Sequence, residues 1–246
     1  MIFEQKYKIG VEDIGTDHYL SNRGLLSFLE DIACLHAHKV GFGILDVEQK
    51  GVAWILLEWK VKVIHRPIYD TTVTVRTWVP KADRLICTRD FEVVDEKGEI
   101  LAIASSKWVL MNMNLRKMVK LTEEYLSVFG MEEGKKAFEE ENELPGEIGK
   151  IVESSEYQTC TSYEVQRRDI DMNHHLHNLN YLYIAYEMLP ETVFENTVYD
   201  EMVIEYKKEI KYGDKVNCYY VQEGNWDVVT FKVEDRLNAV VKLRRR

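Results

Sequence analysis

Two segments of the chain, 13–22 and 169–178, repeat one another, and this repeat constrains the fold more than any other sequence feature. DIGTDHYLSN lies over DIDMNHHLHN, and five of the ten positions are identical. Average residue usage would give on the order of one identity by chance. Each copy directly precedes a stretch in which apolar residues recur at helical spacing. The sequence therefore predicts a duplicated fold with one long helix in each half.

The spacing of apolar residues predicts where these helices and the surrounding strands lie. One helix is predicted over 22–41 and the other over 178–190, the second being apolar on nearly all sides. Residues 57–63 alternate apolar and polar side chains, which is typical of a half-buried strand. Turn residues at 95–98 predict a hairpin, and a second hairpin is expected around Asp235.

Composition restricts the compartment and the partners. The chain has 246 residues, of which 46% are hydrophobic, and its net charge is -10. No apolar run approaches the roughly 20 residues of a membrane-spanning helix, and residues 1–15 lack the apolar centre of a signal peptide. An acidic chain is a poor match for nucleic acid, which binds basic surfaces. We therefore expect a cytoplasmic protein that binds neither nucleic acid nor membrane.

Most of the negative charge lies in one segment between the two halves. Residues 122–156 contain 11 Glu and 3 Lys, a local balance of -8. Glycine and proline interrupt this stretch, so it is predicted to be a solvated, helix-bearing linker on the surface. We place the linker at 129–155, between an N-terminal domain at 1–128 and a C-terminal domain at 156–246.

The two copies differ at positions that could carry chemistry. The second copy has Asp171, Asn173 and His175 where the first has Gly15, Asp17 and Tyr19. A further echo sets Glu58-Trp59-Lys60 beside Glu205-Tyr206-Lys207, and by that alignment Glu209 corresponds to Lys62. Duplication followed by loss of chemistry in the first half would produce this asymmetry. We therefore expect the functional site in the second half.

Each candidate residue also has a purely structural interpretation. His175 could transfer protons near neutral pH, Asp171 could orient it, and Asn173 could hold a substrate or a water. Asp and Asn residues can instead cap the helix that follows, and we adopt that interpretation for Asp169 and Asn178, which recur in the first copy. The alternation of residues around Glu209 groups it with the polar face of a strand, so the residues alone favour a solvated side chain there.

Metal, cofactor and thiol chemistry are not favoured by the motifs. The segment is rich in metal ligands but lacks HExxH or another known ligand spacing; these ligands are Asp169, Asp171, His174, His175 and His177. No P-loop, GxGxxG or GxSxG is present, so no cofactor and no metal are expected. The four widely spaced cysteines predict no disulfide framework and are expected to be buried, inert thiols; they are Cys34, Cys87, Cys160 and Cys218.

Two motifs carry a family resemblance. The run RRDIDMNHHLHNLNY, 167–181, resembles the signature of the acyl-acyl carrier protein (acyl-ACP) thioesterases, whose plant members read close to RRxDLDVNQHVNNxxY. The segment EYKKEI, 205–210, resembles the LEYRREC segment of the same family. The resemblance covers essentially the whole chain, with two halves, an intervening linker and the motifs in the second half.

The resemblance implies a fold and an activity. The implied fold is α+β, a tandem (double) hotdog in which each half is an antiparallel sheet wrapped around one long helix. The implied activity is hydrolysis of the thioester between a fatty acyl chain and its carrier protein, which ends chain elongation in fatty acid biosynthesis. The family's catalytic residues fall on Asp171, Asn173, His175 and Glu209, and its cysteine falls on Ile210. Water activated by Glu209 or His175 is then the expected nucleophile, and the first half is expected to bind the acyl chain.

The partners follow from the same resemblance, and alternatives stay open. Acyl carrier proteins are small and acidic, so a basic docking patch is expected; its candidates are Arg167, Arg168, Lys207, Lys208 and the tail 242–246. For the tail, ordinary solvated surface is an equally good interpretation. Hotdog folds also serve acyl-coenzyme A, so an acyl-coenzyme A thioesterase is the alternative enzyme, and a non-catalytic acyl-binding protein is the alternative class. The chain is expected to be a monomer or a homodimer.

Overall fold

The computed structural model of the chain describes residues 1–138, 153–154, 156–195 and 197–245. The chain divides into two compact units, Met1–Glu143 and Leu144–Arg246. The division falls within 139–152, which lies outside the described residues. The limits of the acidic linker, 129–155, therefore stay a prediction.

The first unit is an antiparallel sheet with one long helix. In chain order its elements are β1 (Phe3–Lys8), α1 (Asn22–Lys39), a 3-10 helix (Ile44–Asp46), α2 (Val47–Lys50), β2 (Val52–Val63), β3 (Thr72–Ala82), β4 (Ile86–Val94), β5 (Ile100–Asn112), β6 (Lys117–Met118), α3 (Glu123–Leu126) and a second 3-10 helix (Ser127–Phe129). The strands follow the order β1-β3-β4-β5-β2, all antiparallel, and β6 pairs with β5. Helix α1 packs against β1 and β3.

Helix α1 begins where the sequence predicts. The Ser21 hydroxyl accepts a hydrogen bond from the backbone N–H of Gly24 at 3.0 Å, which caps the first turn. The preceding loop crosses so close to this turn that a β-carbon at Gly24 would lie 2.3 Å from the carbonyl oxygen of Asp13. Glycine at this position therefore permits the contact between loop and helix. The helix buries an apolar face comprising Leu25, Leu26, Phe28, Leu29, Ile32 and Ala33.

Strand β2 is buried on both faces at its centre, so the prediction of a half-buried strand was wrong there. Glu58 and Lys60 lie on its polar face, yet only 3% and 4% of their surface is exposed. A carboxylate can be buried when a cation accompanies it, and the Lys107 ammonium lies 2.8 Å from Glu58. The alternation of residue types was correct, but the second face is covered as well.

The second unit repeats this plan with a shorter helix. Its elements are β7 (Thr159–Glu164), a 3-10 helix (Arg167–Asp169), α4 (Asn180–Glu187), α5 (Glu191–Phe194), β8 (Tyr199–Tyr206), β9 (Lys215–Glu223), β10 (Trp226–Val233) and β11 (Arg236–Arg245). The strands follow the order β8-β11-β10-β9-β7, all antiparallel. Both predicted hairpins are confirmed, because β4 and β5 join through 95–99 and β10 and β11 join around Asp235.

Helix α4 starts two residues later than predicted, and the expected caps do not close it. The carbonyl of Asn178 accepts a hydrogen bond from the Tyr206 hydroxyl at 3.0 Å, and no side chain caps the first turn of α4. The Asp169 carboxylate instead accepts hydrogen bonds from the Gln166 N–H at 2.8 Å and the Tyr163 hydroxyl at 2.7 Å. Capping by Asp169 and Asn178 was therefore a wrong prediction. The helix is also less completely buried than its apolar sequence suggests, since Tyr183 is exposed.

The described start of the acidic segment packs against the first unit instead of lying free in solvent. The N–H of Ala137 donates to the Asp90 carboxylate at 2.9 Å, and the Trp78 indole donates to the Lys135 carbonyl at 2.8 Å. Phe138 is buried. The prediction of a solvated connection was therefore wrong for Ala137 and Phe138 but correct for the exposed Glu133 and Lys136, while 139–152 lies outside the described residues. Within the described parts of the chain, no helix combines the length and the apolar character needed to cross a membrane.

Candidate active site

The loop between β7 and α4 is organised around the carboxylate of Asp171. One carboxylate oxygen accepts hydrogen bonds from the backbone N–H groups of Asn173 at 2.8 Å and His175 at 3.1 Å. The other accepts from the side-chain amide of Asn173 at 3.3 Å. Asp171 was predicted to orient His175, and it does contact that residue, but through the backbone. The carboxylate therefore fixes the loop and the direction of the Asn173 amide.

A sharp reversal at His174 brings both ends of this loop together. His174 adopts a left-handed backbone conformation with φ of 62°, and the Asp171 N–H donates to the carbonyl of His175 at 2.9 Å. Ile170 and Leu176 then form a β-bridge beneath the turn. The reversal leaves Asn173 and His174 exposed at its tip, with His175 half-buried beside them.

Glu209 reaches the loop from a different part of the unit. Its carboxylate oxygen Oε1 lies 3.7 Å from Nε2 of His175, with 39% of the Glu209 side chain and 24% of the His175 side chain exposed. The neighbouring backbone holds the two segments together, because His175 bridges Lys211 and the Leu176 N–H donates to the carbonyl of Ile210 at 2.7 Å. The structure thus brings all four candidate residues to one site.

Strand alternation gave the right exposure for Glu209, whose side chain is 39% exposed, but the wrong structural setting. Strand β8 ends at Tyr206, so the alternation of its two faces does not extend to Glu209. The residue lies in a bend after the strand and points to the imidazole instead of standing on a solvated strand face. The local sequence does mark this strand end, because Lys207, Lys208 and Glu209 are three consecutive polar residues and break the alternation.

Tyr181 belongs to the surroundings of the site, although its residue type alone does not predict this. It is buried in the first turn of α4. Burial, together with the nearby negative charges of Asp171 and Glu209, raises the pKa of Tyr181 well above its usual value. Its phenol therefore stays protonated and neutral beside the two carboxylates. Its position as the last residue of the long motif was the available signal.

The first copy has the same backbone loop, with Gly15, Asp17 and Tyr19 in place of Asp171, Asn173 and His175. Its Gly15 N–H donates to the carbonyl of Tyr19 at 2.9 Å, as Asp171 does to His175, and its His18 repeats the left-handed conformation with φ of 66°. The N–H of Leu20 donates to the carbonyl of Pro67 at 2.9 Å, as Leu176 does to Ile210. These backbone hydrogen bonds of the loop recur in both copies, which supports the predicted duplication.

The equivalent hydrogen bonds show that the predicted alignment of Glu209 with Lys62 was wrong. Since Pro67 takes the place of Ile210, the counterpart of Glu209 is Arg66 and not Lys62, which lies inside β2. The Arg66 guanidinium donates to the carbonyl of Leu20 at 2.9 Å and to the side chain of Asn22 at 2.8 Å. The first copy thus has a cation bound to the start of its helix where the second copy has a carboxylate next to an imidazole.

The cysteines lie outside this cluster. Burial raises the pKa of Cys34 and Cys87 to about 11 and that of Cys218 to about 12, so these thiols stay protonated at neutral pH. Cys160 is exposed on β7, where a buried thiol was predicted. The position that carries a cysteine in plant acyl-ACP thioesterases is occupied by Ile210, which is fully buried. Among the residues that the structure describes, no three His, Cys, Asp or Glu side chains group as a metal site.

Two family models match the two parts of the chain. Residues 1–129 match the acyl-ACP thioesterase N-terminal domain, and residues 152–244 match the acyl-ACP thioesterase C-terminal domain. Together they cover both copies of the repeated loop and the site described above.

Curated plant proteins and solved structures are similar over most of the chain. Oleoyl-acyl carrier protein thioesterase 2 of Arabidopsis thaliana is 25% identical over 93% of this chain and 65% of its own length. Palmitoyl-acyl carrier protein thioesterase of Gossypium hirsutum is 28% identical over 85% of this chain and 52% of its own length. The chain thus spans between about half and two thirds of these curated relatives.

Two solved structures confirm the predicted α+β tandem hotdog fold. The acyl-ACP thioesterase of Bacteroides thetaiotaomicron superimposes with a TM-score of 0.86 at 22% identity, covering 100% of this chain and 98% of that one. The 12:0-ACP thioesterase of Umbellularia californica gives 0.86 at 21% identity, covering 100% and 97%. At these identities the likeness concerns the fold.

Proposed function

The chain belongs to the acyl-ACP thioesterase family, and from that membership we propose that it is a thiolester hydrolase acting on fatty acyl-ACP. The products are a free fatty acid and the carrier protein with its free thiol, so the reaction ends elongation of the bound chain. The names of the curated relatives, which include acyl-ACP hydrolases, support this activity. The proposal extends to this chain an activity named for longer proteins.

One observation carries the catalytic assignment. The imidazole of His175 lies 3.7 Å from the carboxylate of Glu209 in the second unit, whereas the equivalent loop and bend of the first unit carry Tyr19 and Arg66. A fold alone does not need this set, because the first unit forms the same hydrogen bonds without it. We therefore assign catalysis to Asp171, Asn173, His175 and Glu209.

The roles follow from the contacts. Water attacks the thioester carbonyl carbon while the His175–Glu209 pair accepts its proton. The C–S bond then breaks, and the proton passes to the departing thiolate. A primary amide has two N–H groups, so Asn173 can donate one to Asp171 and the other to the carbonyl oxygen, where negative charge develops. Asp171 positions this amide and the His175 backbone.

We assign binding of the acyl chain to the first unit. Its interior is built from apolar side chains around α1, and it retains the fold of the second unit without the polar set. A binding role explains why a copy that lost the reactive residues keeps its fold. The assignment is tested when substitutions in the first-unit interior change the preferred chain length without changing the rate on the best substrate.

The docking surface is assigned to the basic residues next to the site. Lys207, Lys208 and Lys211 flank Glu209 and are exposed, as are Arg167 and Arg168 at the start of the loop. The C-terminal tail is a poorer candidate than expected, because its described basic residues pair with carboxylates; the pairs are Lys242–Glu205, Arg244–Glu201 and Arg245–Asp227. Arg246 lies outside the described residues. An acidic carrier protein would therefore dock on the exposed lysines around Glu209 together with Arg167 and Arg168.

The decisive experiment is release of free thiol from a panel of acyl carrier proteins and acyl-coenzyme A esters with matched chains. We expect kcat/KM for the carrier-protein esters to exceed that for the coenzyme A esters of the same chain. A preference for coenzyme A would identify the alternative enzyme. Tight binding of acyl chains without any thiol release would contradict the hydrolase and support a binding protein.

A further inference from the structure

Asn238 is a fully buried side chain that contacts the bend carrying Glu209. It lies near the start of β11, next to an irregularity in the pairing of β10 with β11. Its side-chain oxygen accepts a hydrogen bond from the Val233 N–H at 2.9 Å. Its side-chain nitrogen lies 3.2 Å from the carbonyl of Glu209 and 3.4 Å from that of Lys208. The amide therefore connects β10 and β11 to the bend beside the candidate site.

The backbone of the same residue ends the pairing of β8 with β11. The carbonyl of Asn238 accepts hydrogen bonds from the N–H groups of both Lys207, at 2.8 Å, and Lys208, at 3.1 Å. Two donors on one carbonyl interrupt the regular ladder, and the side-chain amide binds the next two carbonyls along the bend. The Glu209 backbone is thus held on one side by Asn238 and on the other by the bond from Leu176 to Ile210.

The first unit provides a comparison within the same molecule. There the carbonyl of Leu101 accepts hydrogen bonds from the N–H groups of Ile64 at 2.8 Å and His65 at 3.0 Å. The Asn238 carbonyl accepts the same pair of hydrogen bonds, so Leu101 is the counterpart of Asn238. The bend therefore forms with a leucine at this position, and the side-chain amide is present only in the copy that carries Glu209.

We propose that Asn238 is a positioning residue of the hydrolase, which holds the Glu209 backbone so that the carboxylate meets His175. Burying a polar amide is costly unless it is hydrogen-bonded, and the first unit shows that a leucine suffices for the fold of the bend. The amide thus follows the same asymmetry as the four candidate catalytic residues. The inference rests on the proposed function for its kinetic consequence, while its geometric content is independent of it.

The test compares substitutions at Asn238 in the full chain. Asn238→Leu copies the residue of the first unit, and Asn238→Asp keeps the size and the acceptor for Val233 but, when ionised, offers no donor to the two carbonyls. Tyr220→Phe is the matched control, because it removes a buried hydrogen bond to Asp227 in the same unit at a distance in sequence from the bend. Each variant is assayed for kcat and KM and checked by thermal unfolding.

We expect both Asn238 variants to lower kcat by about 10- to 100-fold with KM within about twofold, because a small displacement of a reacting group is costly. The control should keep the wild-type kcat. In the Glu209→Gln background, Asn238→Leu should cause no further loss beyond about twofold, since it acts through Glu209. The proposal would be overturned if the Asn238 variants kept the wild-type kcat, or if neither variant folded. It would also be overturned if Asn238→Leu lowered kcat as much in the Glu209→Gln background as in the wild type.

A crystal structure of Asn238→Leu separates this inference from the proposed function. We expect the Glu209 carboxylate to move away from His175 while the rest of the unit is unchanged. A Glu209 position identical to that of the wild type would overturn the inference whether or not the enzyme is active. If the wild type released no thiol from any substrate, the proposed function would fail, and this structural result would still decide the positioning role.

Discussion

His175 and Glu209 approach each other from two loops that the backbone joins at a β-bridge. In the proposed reaction this pair takes a proton from water and passes it to the departing thiolate. In that proposal, separating the two groups would remove the proton acceptor and leave the role of Asn173 unchanged.

We expect Glu209→Gln and His175→Ala each to lower kcat by at least about a hundredfold, a usual size for loss of acid–base catalysis. Folding should survive, because both side chains are partly exposed. The measurement is steady-state thiol release with acyl-ACP, and Arg66→Gln at the counterpart position is the control, with an unchanged kcat. A wild-type rate for Glu209→Gln would show that this carboxylate has no part in the reaction.

The site shows what residue patterns can reveal. Asp171, Asn173 and His175 could be found from the sequence, because the repeated loop exposes the positions where one copy differs. Glu209 could not, since the residues around it favour an ordinary solvated side chain, and only the family resemblance identified it. Asn238 was not found at all. Its proposed role depends on a bend that brings it next to Lys208 and Glu209, which are 30 and 29 positions away in the sequence.

The thiols provide a second prediction. We expect a variant in which all four cysteines are replaced by Ala or Ser to keep thioesterase activity, with reduced stability because Cys87 and Cys218 are buried. A thiol nucleophile needs a thiolate beside a base, whereas burial keeps the thiols of Cys87 and Cys218 protonated. Rapid quenching followed by mass spectrometry should reveal no acylated cysteine. A covalent acyl group on any cysteine would contradict attack by water.

Among the elements, the strands of the second unit are tied together by one carboxylate. Asp227 on β10 is fully buried and accepts hydrogen bonds from Tyr199 on β8 at 2.7 Å, from Tyr220 on β9 at 2.8 Å and from Arg245 on β11 at 2.6 and 2.7 Å. Burial alone would raise the pKa of Asp227, but the hydrogen bonds from Arg245 and the two tyrosines outweigh it, and the pKa lies below its usual value. The charged form therefore stabilises the fold.

This network predicts an acid-sensitive fold. Since the folded pKa of Asp227 is depressed, its contribution is complete above the unfolded pKa of about 3.9 and is lost as pH falls through the lower folded value. Asp227→Asn should lower the free energy of unfolding at pH 7 by about 3–5 kcal/mol and weaken its dependence on pH below about 4. Urea unfolding at several pH values measures both, with Asp235→Asn in the exposed turn as the control. If Asp227→Asn lost as much unfolding free energy below about pH 4 as the wild type does, Asp227 would be excluded as the cause of the acid sensitivity.

Element prediction succeeded where the local signal was complete. Helix α1 and both hairpins follow from spacing, a serine cap and turn residues, all of which lie within a few positions of the element. The buried Glu58 of β2 pairs with Lys107, and the Asn178 carbonyl before α4 accepts a hydrogen bond from Tyr206; both partners are distant in sequence. Such partners are supplied by the tertiary fold, so local periodicity cannot reveal them.

On the scale of the whole molecule, most of the net negative charge lies in the acidic segment, 122–156, and not in the segments that form the site. The net charge is -10, and residues 122–156 contribute -8 of it, so the remainder is close to neutral at -2. Against that background, the exposed cations around Glu209 form a local basic surface. A small acidic partner is attracted to such a surface at long range, and this attraction is weakened by salt.

We therefore expect the KM for acyl-ACP to rise as ionic strength increases from about 0.05 to 0.5 M, because the Debye length shortens from above 10 Å to well below it. The KM for a small pantetheine thioester should change little, since that substrate carries no acidic surface. Replacing both Lys207 and Lys208 by Glu should raise the KM for acyl-ACP by at least about tenfold at low salt and remove most of its salt dependence, while Lys97→Glu, in the exposed hairpin of the first unit, should do neither. Equal salt responses of the two substrates in the wild type would contradict electrostatic docking.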